Sequence, residues 1–119
     1  MSDKQKNILS ITIVAILGFV AFLLIYGEIL DPRYDAWLLT AGPDPVQQYL
    51  GWIMYSVADW SWPIGLASNY AYPFGIAVSF TDSIPILAIF FKSIRFILPQ
   101  TFQYFGLWIF ISTLLTSFF

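Results

Sequence analysis

The sequence predicts an all-α integral membrane protein with three membrane-spanning helices and a structured outward loop that contains an interfacial amphipathic helix. Hydrophobic residues make up 59% of the 119 residues and charged residues only 10%, which is far from the average of soluble domains. Three long apolar stretches occur, at residues 8–27, 83–98 and 102–119. A long segment rich in acids, aromatics, proline and glycine separates the first two stretches.

The first apolar stretch follows a short N-terminus, residues 1–7, which carries Lys4 and Lys6. No charged residue lies in 8–27, and an α-helix of this length crosses about 30 Å of hydrocarbon. A cleaved signal peptide is the competing interpretation, but the stretch is long and no small-residue cleavage site follows it. We therefore expect 8–27 to be the first spanning helix.

The second and third stretches predict a tight pair of spanning helices. Residues 83–98 are interrupted only by Lys92 and Arg95 near their end, where long cationic side chains can reach the membrane surface. Residues 99–101 form a turn, and 102–119 carry no charge. Because the chain stops at two phenylalanines with no cap or cationic anchor, we expect the third helix to be truncated.

The orientation follows from the distribution of basic residues, which are enriched on the cytoplasmic side of membrane proteins. The N-terminus and the turn at 99–101 both lie next to lysine or arginine. We therefore expect both to be cytoplasmic and residues 28–82 to form an outward, periplasmic loop. This loop contains every acidic residue except Asp3.

Inside the loop, the sequence predicts an amphipathic helix at 44–58. Asp44 suits the N-cap, Pro45 the first helical position, and Gln47 the third position of a capping box. Apolar residues then recur at the spacing of one helical face, as expected of a helix lying in the membrane interface: Val46, Leu50, Ile53, Met54 and Val57. Asp82 similarly suits a cap at the start of the second span.

Composition excludes several classes of function. The chain has no cysteine and no histidine, which excludes disulfides, thiol chemistry and the commonest zinc sites. A net charge of -2 without a basic cluster argues against nucleic acid as a partner. A transporter or channel is disfavoured because no predicted span has a charged residue near its middle.

Several short motifs occur together between residue 40 and the end of the chain. They are Asp44-Pro45-x-Gln47-x-Tyr49-Leu50-Gly51-Trp52, Trp62-Pro63-Ile64-Gly65-Leu66, Asn69-Tyr70, Phe80-Thr81-Asp82-Ser83-Ile84-Pro85 and Phe102-Gln103-Tyr104-Phe105-Gly106-Leu107-Trp108. As a set they resemble the start of multi-pass bacterial membrane proteins of the GT-C glycosyltransferase superfamily, in a poorly characterised branch.

The resemblance implies an enzyme of the bacterial inner (cytoplasmic) membrane whose outward loop presents an acid to a polyprenyl-phosphate-linked sugar. Asp44 is the matching position, as general base or as ligand of a divalent cation (Mg or Mn). Members of the superfamily are longer, so the chain is expected to be an N-terminal part that packs on further transmembrane helices of a longer chain or of a partner subunit.

The candidate site residues each have a structural alternative. Asp44 can act as a helix cap or as a base, and the two roles are compatible. Asp82 can share a cation with Asp44, although oxygen-only sites generally use more than two carboxylates. Arg33 can pair with a neighbouring acid or grip a phosphate. The remaining candidates for sugar binding are also ordinary residues of a membrane interface: Gln47, Gln48, Asn69 and Tyr70.

The alternative function is a small non-enzymatic membrane subunit that packs on partner helices. Ala15, Gly18 and Ala21 form a narrow face of small residues on the first span, which a neighbouring helix can approach closely.

Overall fold

The computed structural model describes residues 2–117, which form two compact units. Unit 1 consists of the described residues up to Tyr34 and from Tyr104 onward, and unit 2 is Asp35–Gln103. The described chain is mostly helical, which confirms the prediction of a helical protein, and it contains one small sheet that was not predicted. Its elements in chain order are α1 (Asp3–Tyr26), α2 (Ala36–Thr40), α3 (Pro43–Val57), β1 (Leu66–Ala67), β2 (Ile76–Ala77), α4 (Pro85–Ser93) and α5 (Phe105–Ser117), with 3-10 helices at Gly27–Leu30, Val78–Thr81 and Arg95–Ile97.

Unit 1 is built on the long helix α1. Ser2 and Gln5 form a capping box at its start, with the Ser2 amide donating to Gln5 Oε1 at 2.9 Å. The 24 residues of α1 extend about 36 Å. The stretch Asp3–Leu30 is the one part of the described chain whose length and composition suit a membrane crossing.

Helix α5 packs beside α1 in the opposite direction. The Phe110 ring lies 5.1 Å from the Phe22 ring and 5.7 Å from the Phe19 ring, and Ser117 lies against Gly18. The described part of α5 has 13 residues and is shorter than a full crossing. Phe118 and Phe119, the end of the predicted third span, lie outside the described residues.

Unit 2 is organised around α3, which buries an aromatic face. Trp52 and Tyr55 are fully buried. The Trp52 indole donates to the Phe102 carbonyl at 2.7 Å, and the Tyr55 hydroxyl donates to the Ile64 carbonyl at 2.6 Å. Because a buried polar group is costly without a partner, these bonds fix the loops against the helix.

The start of α3 differs from the prediction. The helix begins at Pro43, and its N-cap is Gly42 with φ +127°, a backbone conformation that glycine adopts at little cost. Asp44 therefore lies inside the first turn and makes no capping hydrogen bond. The predicted capping box is wrong, because the Gln47 side chain instead donates to the Phe80 carbonyl at 3.4 Å.

The buried face of α3 also differs from the predicted apolar face. The buried residues are Tyr49, Gly51, Trp52, Tyr55 and Ser56. Leu50 and Val57, which were predicted to lie on the apolar face, are exposed. Large aromatic rings with a polar tip fill the core and reach backbone carbonyls at the same time.

The predicted second span is not a single helix. Within 83–98, α4 has nine residues, or about 14 Å of helix, and a separate 3-10 helix follows at Arg95–Ile97. The predicted reach of the two bases toward a membrane surface is also wrong, because Lys92 is buried. Arg95 donates to the carbonyls of Leu98 and Pro99, which turns the chain after α4. Three spans are therefore not found in the described chain.

Candidate functional site

Asp44 is the acid that both the helix pattern and the family resemblance singled out. It lies in the first turn of α3 and its side chain is exposed. Within the part of the chain that the structure describes, its carboxylate makes no hydrogen bond and no ion pair. The capping role that competed with a chemical role is thus filled by Gly42, and the Asp44 carboxylate remains accessible.

Asp82 lies in a loop that packs on the first half of α3. On one side of it, the Phe80 carbonyl accepts from Gln47. On the other side, the Ser83 hydroxyl donates to the Gln48 carbonyl at 2.6 Å. These contacts place the loop beside the turns that follow Asp44.

Asp82 does not cap α4 as predicted. It has φ +53° and is exposed, whereas the N-cap of α4 is Ile84, which also has a positive φ and makes no side-chain cap. Its flanking residues Thr81 and Ser83 are buried and hydrogen-bonded to each other at 2.7 Å. The turn therefore directs the hydroxyls inward and leaves the Asp82 side chain at the surface.

A divalent cation would find few protein ligands here. Among residues 2–117, no three acidic side chains come together in a metal-binding arrangement. Asp44 and Asp82 can supply the one or two carboxylates that Mg²⁺ uses when substrate phosphates and water complete its octahedron. Two carboxylates do not form a closed protein cage, and a cation held by either of them would need phosphate oxygens and water as further ligands.

The candidate sugar-binding residues fall into two groups. Gln47 and Gln48 lie on α3 next to the Asp82 loop. Asn69 instead donates from its side-chain amide to the Met54 carbonyl at 3.0 Å, and neighbouring Tyr70 is half-buried in the β1–β2 connection. Because Met54 is about 15 Å along the helix from Asp44, Asn69 lies near the opposite end of α3 from Asp44, and Tyr70 is its neighbour in sequence.

Arg33 belongs to unit 1 and lies in a local turn. Its backbone amide donates to Asp31 Oδ1 at 2.9 Å, and its side chain is exposed. This bond forms an Asx-type turn, while the predicted ion pair of the Arg33 side chain with a neighbouring acid stays a prediction.

Two buried polar groups in unit 2 were missed at the sequence level. The Tyr49 hydroxyl lies within hydrogen-bond distance of two acceptors, Asp35 Oδ2 at 3.0 Å and the Thr101 carbonyl at 3.2 Å, which share its single proton. Burial, together with this bond to Asp35, raises the pKa of Tyr49 above its ordinary value. No sequence signal marks the pair, since its members are fourteen residues apart, with Asp35 at the N-cap of α2 and Tyr49 on α3.

Lys92 is the second missed group. Its ammonium lies 4.1 Å from the centre of the Tyr55 ring and 4.6 Å from that of Trp60, and it donates to the Asp59 carbonyl at 3.4 Å. Burial lowers the pKa of Lys92, while the Asp59 charge opposes that shift. Cation–π contact stabilises a buried ammonium, so this arrangement ties the end of α4 to α3.

A family model described as a domain of unknown function, DUF6311, matches residues 15–119. The chain belongs to this family. The DUF6311 match includes part of α1, all of unit 2 and α5, and so it contains every candidate site residue. No curated protein and no solved structure matches the chain.

Proposed function

We propose that the chain is the N-terminal part of a GT-C-like membrane glycosyltransferase that takes its sugar from a polyprenyl-phosphate donor. The observation that carries the proposal is the accessibility of the Asp44 carboxylate. Its carboxylate is exposed in the first turn of α3 and is used by no capping bond or ion pair in residues 2–117. A general base must be both ionised and accessible to its substrate.

The chemistry follows from a carboxylate at the start of a helix. As base, Asp44 accepts the proton of an acceptor hydroxyl while the hydroxyl oxygen bonds to the anomeric carbon of the sugar. The bond from that carbon to the phosphate oxygen breaks, and the polyprenyl phosphate leaves with the electron pair. A divalent cation bound with the donor would neutralise the charge of the phosphate.

The membrane arrangement that we propose has α1 crossing the bacterial inner membrane outward and α5 returning. Lys4 and Lys6 then lie in the cytoplasm, as the positive-inside tendency favours. The opposite directions of α1 and α5, packed through Phe22 and Phe110, support two crossings joined by unit 2 on the outer side. Asp44 would thereby act on the outer side of the membrane, where the resemblance to GT-C proteins also implies the loop to lie.

The test is Asp44→Asn in the full-length protein, reconstituted with a labelled polyprenyl-phosphate sugar and an acceptor. Loss of a general base lowers rates by about 100-fold or more, so transfer is expected to fall at least that far. Asp3→Asn is the matched control, because Asp3 is also an exposed acid in the first turn of a helix but lies outside the proposed site. Transfer that survives Asp44→Asn at the level of Asp3→Asn would overturn the assignment.

The alternative, a non-enzymatic subunit that packs on partner helices, is favoured by one observation. Phe22 is the one buried residue of α1, all of whose residues are described. Apart from the side that α5 covers at Gly18, Phe19 and Phe22, the surface of α1 is open to lipid or to other helices. Native mass measurement in mild detergent separates the two proposals: a stoichiometric complex with another membrane protein, without sugar transfer, would favour the subunit.

A further inference from the structure

Helix α4 and the 3-10 helix after it expose apolar side chains and direct their two charged side chains inward. Their outward side is apolar: Ile86 is 81% exposed and Phe96 is 85% exposed. Phe90, one helical turn beyond Ile86, is also exposed, as is Ile97. The opposite side of α4, which faces α3, contains Ala88 and Lys92, and Lys92 is only 5% exposed.

Both cations of this segment are directed inward. The Lys92 ammonium contacts the rings of Tyr55 and Trp60. The Arg95 guanidinium donates to Ser56 Oγ at 3.2 Å and to three backbone carbonyls, those of Leu98, Pro99 and Gln100. As a result, the exposed face carries no charge from its own segment.

In water, the opposite distribution of charged and apolar side chains is favoured. A surface helix in water places its charged residues outward and its apolar residues toward the core. A short segment that lies in the plane of a bilayer buries its apolar face about 5–10 Å into the boundary between headgroups and acyl chains. Phenylalanine and isoleucine directed outward, with lysine and arginine withdrawn, match that second environment.

We propose that the α4 surface, defined as Ile86, Phe90, Phe96 and Ile97, lies in the lipid interface without crossing the membrane. The length of α4, about 14 Å, suits an in-plane segment and not a crossing. The apolar helix α5 begins eight residues after Ile97, so a short stretch of chain links this segment to the helix pair that the proposed arrangement places in the membrane. The inference rests on the proposed membrane attachment through α1 and is independent of glycosyl transfer.

The absence of cysteine from the sequence makes the test direct. Single cysteines are introduced as Ile86→Cys, Phe90→Cys and Phe96→Cys and labelled with an environment-sensitive fluorophore. The full chain is reconstituted in vesicles of phosphatidylcholine and phosphatidylglycerol. Quenching is measured with lipids that carry a spin label near the headgroup and with iodide in the water phase. Asp59→Cys, at an exposed charged position of unit 2, is the aqueous control, and Leu17→Cys on α1 is the membrane control.

All three α4 labels are expected to be quenched by the lipid probe and to show iodide quenching at least about threefold weaker than the Asp59→Cys label, as immersion in the interface requires. Iodide quenching equal to that at Asp59 would overturn the proposal. Protection from both quenchers would also overturn it and would indicate a protein partner on this face. Iodide quenching at Leu17 equal to that at Asp59 would instead contradict the attachment of α1 itself.

Discussion

Two fully buried aromatic side chains of unit 2 donate to backbone carbonyls, one 50 residues and one 9 residues away in sequence. Trp52 and Tyr55 on α3 bind the carbonyls of Phe102 and Ile64. The sequence marked these residues as aromatic but could not identify their partners, because a carbonyl has no sequence signature. The predicted capping role of Asp44 was wrong, because the N-cap is a glycine two residues earlier.

Tyr49→Phe should make stability less sensitive to alkaline pH. The unfolded tyrosine titrates near its ordinary pKa of 10.0, whereas burial and Asp35 raise the folded pKa. The stabilisation is therefore complete below pH 10.0 and is lost as pH rises from there toward the folded pKa. Unfolding in detergent at about pH 8 and about pH 11 measures the loss, which should be smaller in Tyr49→Phe than in the native chain.

Tyr34→Phe is the control for this comparison, because Tyr34 is exposed and belongs to unit 1. Lys92, with its lowered pKa, contributes in the opposite direction, but equally in all variants. If the alkaline loss is the same in Tyr49→Phe and Tyr34→Phe, the buried hydroxyl does not carry it.

At the scale of the secondary-structure elements, Gly51 marks a close approach between α3 and the Val78–Thr81 helix. A methyl group on Gly51 would overlap the Thr81 side chain and lie 2.8 Å from Ser83 Oγ. The same Ser83 hydroxyl binds the Gln48 carbonyl. Glycine at this position therefore lets the loop that carries Asp82 rest on α3.

Gly51→Ala should destabilise the protein although alanine is the better helix former. Overpacking costs about 1–3 kcal/mol, which exceeds the gain of about 1 kcal/mol from helix propensity. Thermal unfolding in detergent should show a lower midpoint than in the native chain. Gly27→Ala is the matched control, because a methyl group there meets nothing within 4 Å, and its midpoint should be unchanged or slightly higher. Equal midpoints for the two variants would contradict the close approach.

Sequence analysis located α3 to within one residue at each end but misassigned 83–98. Periodicity and turn residues determine where a helix can exist, whereas apolar composition alone does not distinguish a crossing from an in-plane segment. The buried state of Lys92 depends on Tyr55 and Trp60, more than thirty residues earlier in the chain. Their tertiary contact was not predictable from the pattern around Lys92.

At the scale of the whole molecule, the chain consists of a helical pair, α1 and α5, with unit 2 inserted between them in sequence. One helix of the described chain has the length and composition of a membrane crossing. The three-span prediction placed Lys92, Arg95 and the turn 99–101 in the cytoplasm. Their hydrogen bonds and ring contacts within unit 2 instead place them in the same compact unit as Asp44.

The central claim, that all of unit 2 lies on the outer side of the membrane, is tested by labelling single cysteines in intact cells with a membrane-impermeant maleimide. Asp59→Cys and Gln100→Cys, both at exposed positions, should be labelled without permeabilisation, and Lys4→Cys only after it. A Gln100→Cys label that appears only after permeabilisation, while Asp59→Cys labels from outside, would contradict this account and restore a crossing between them.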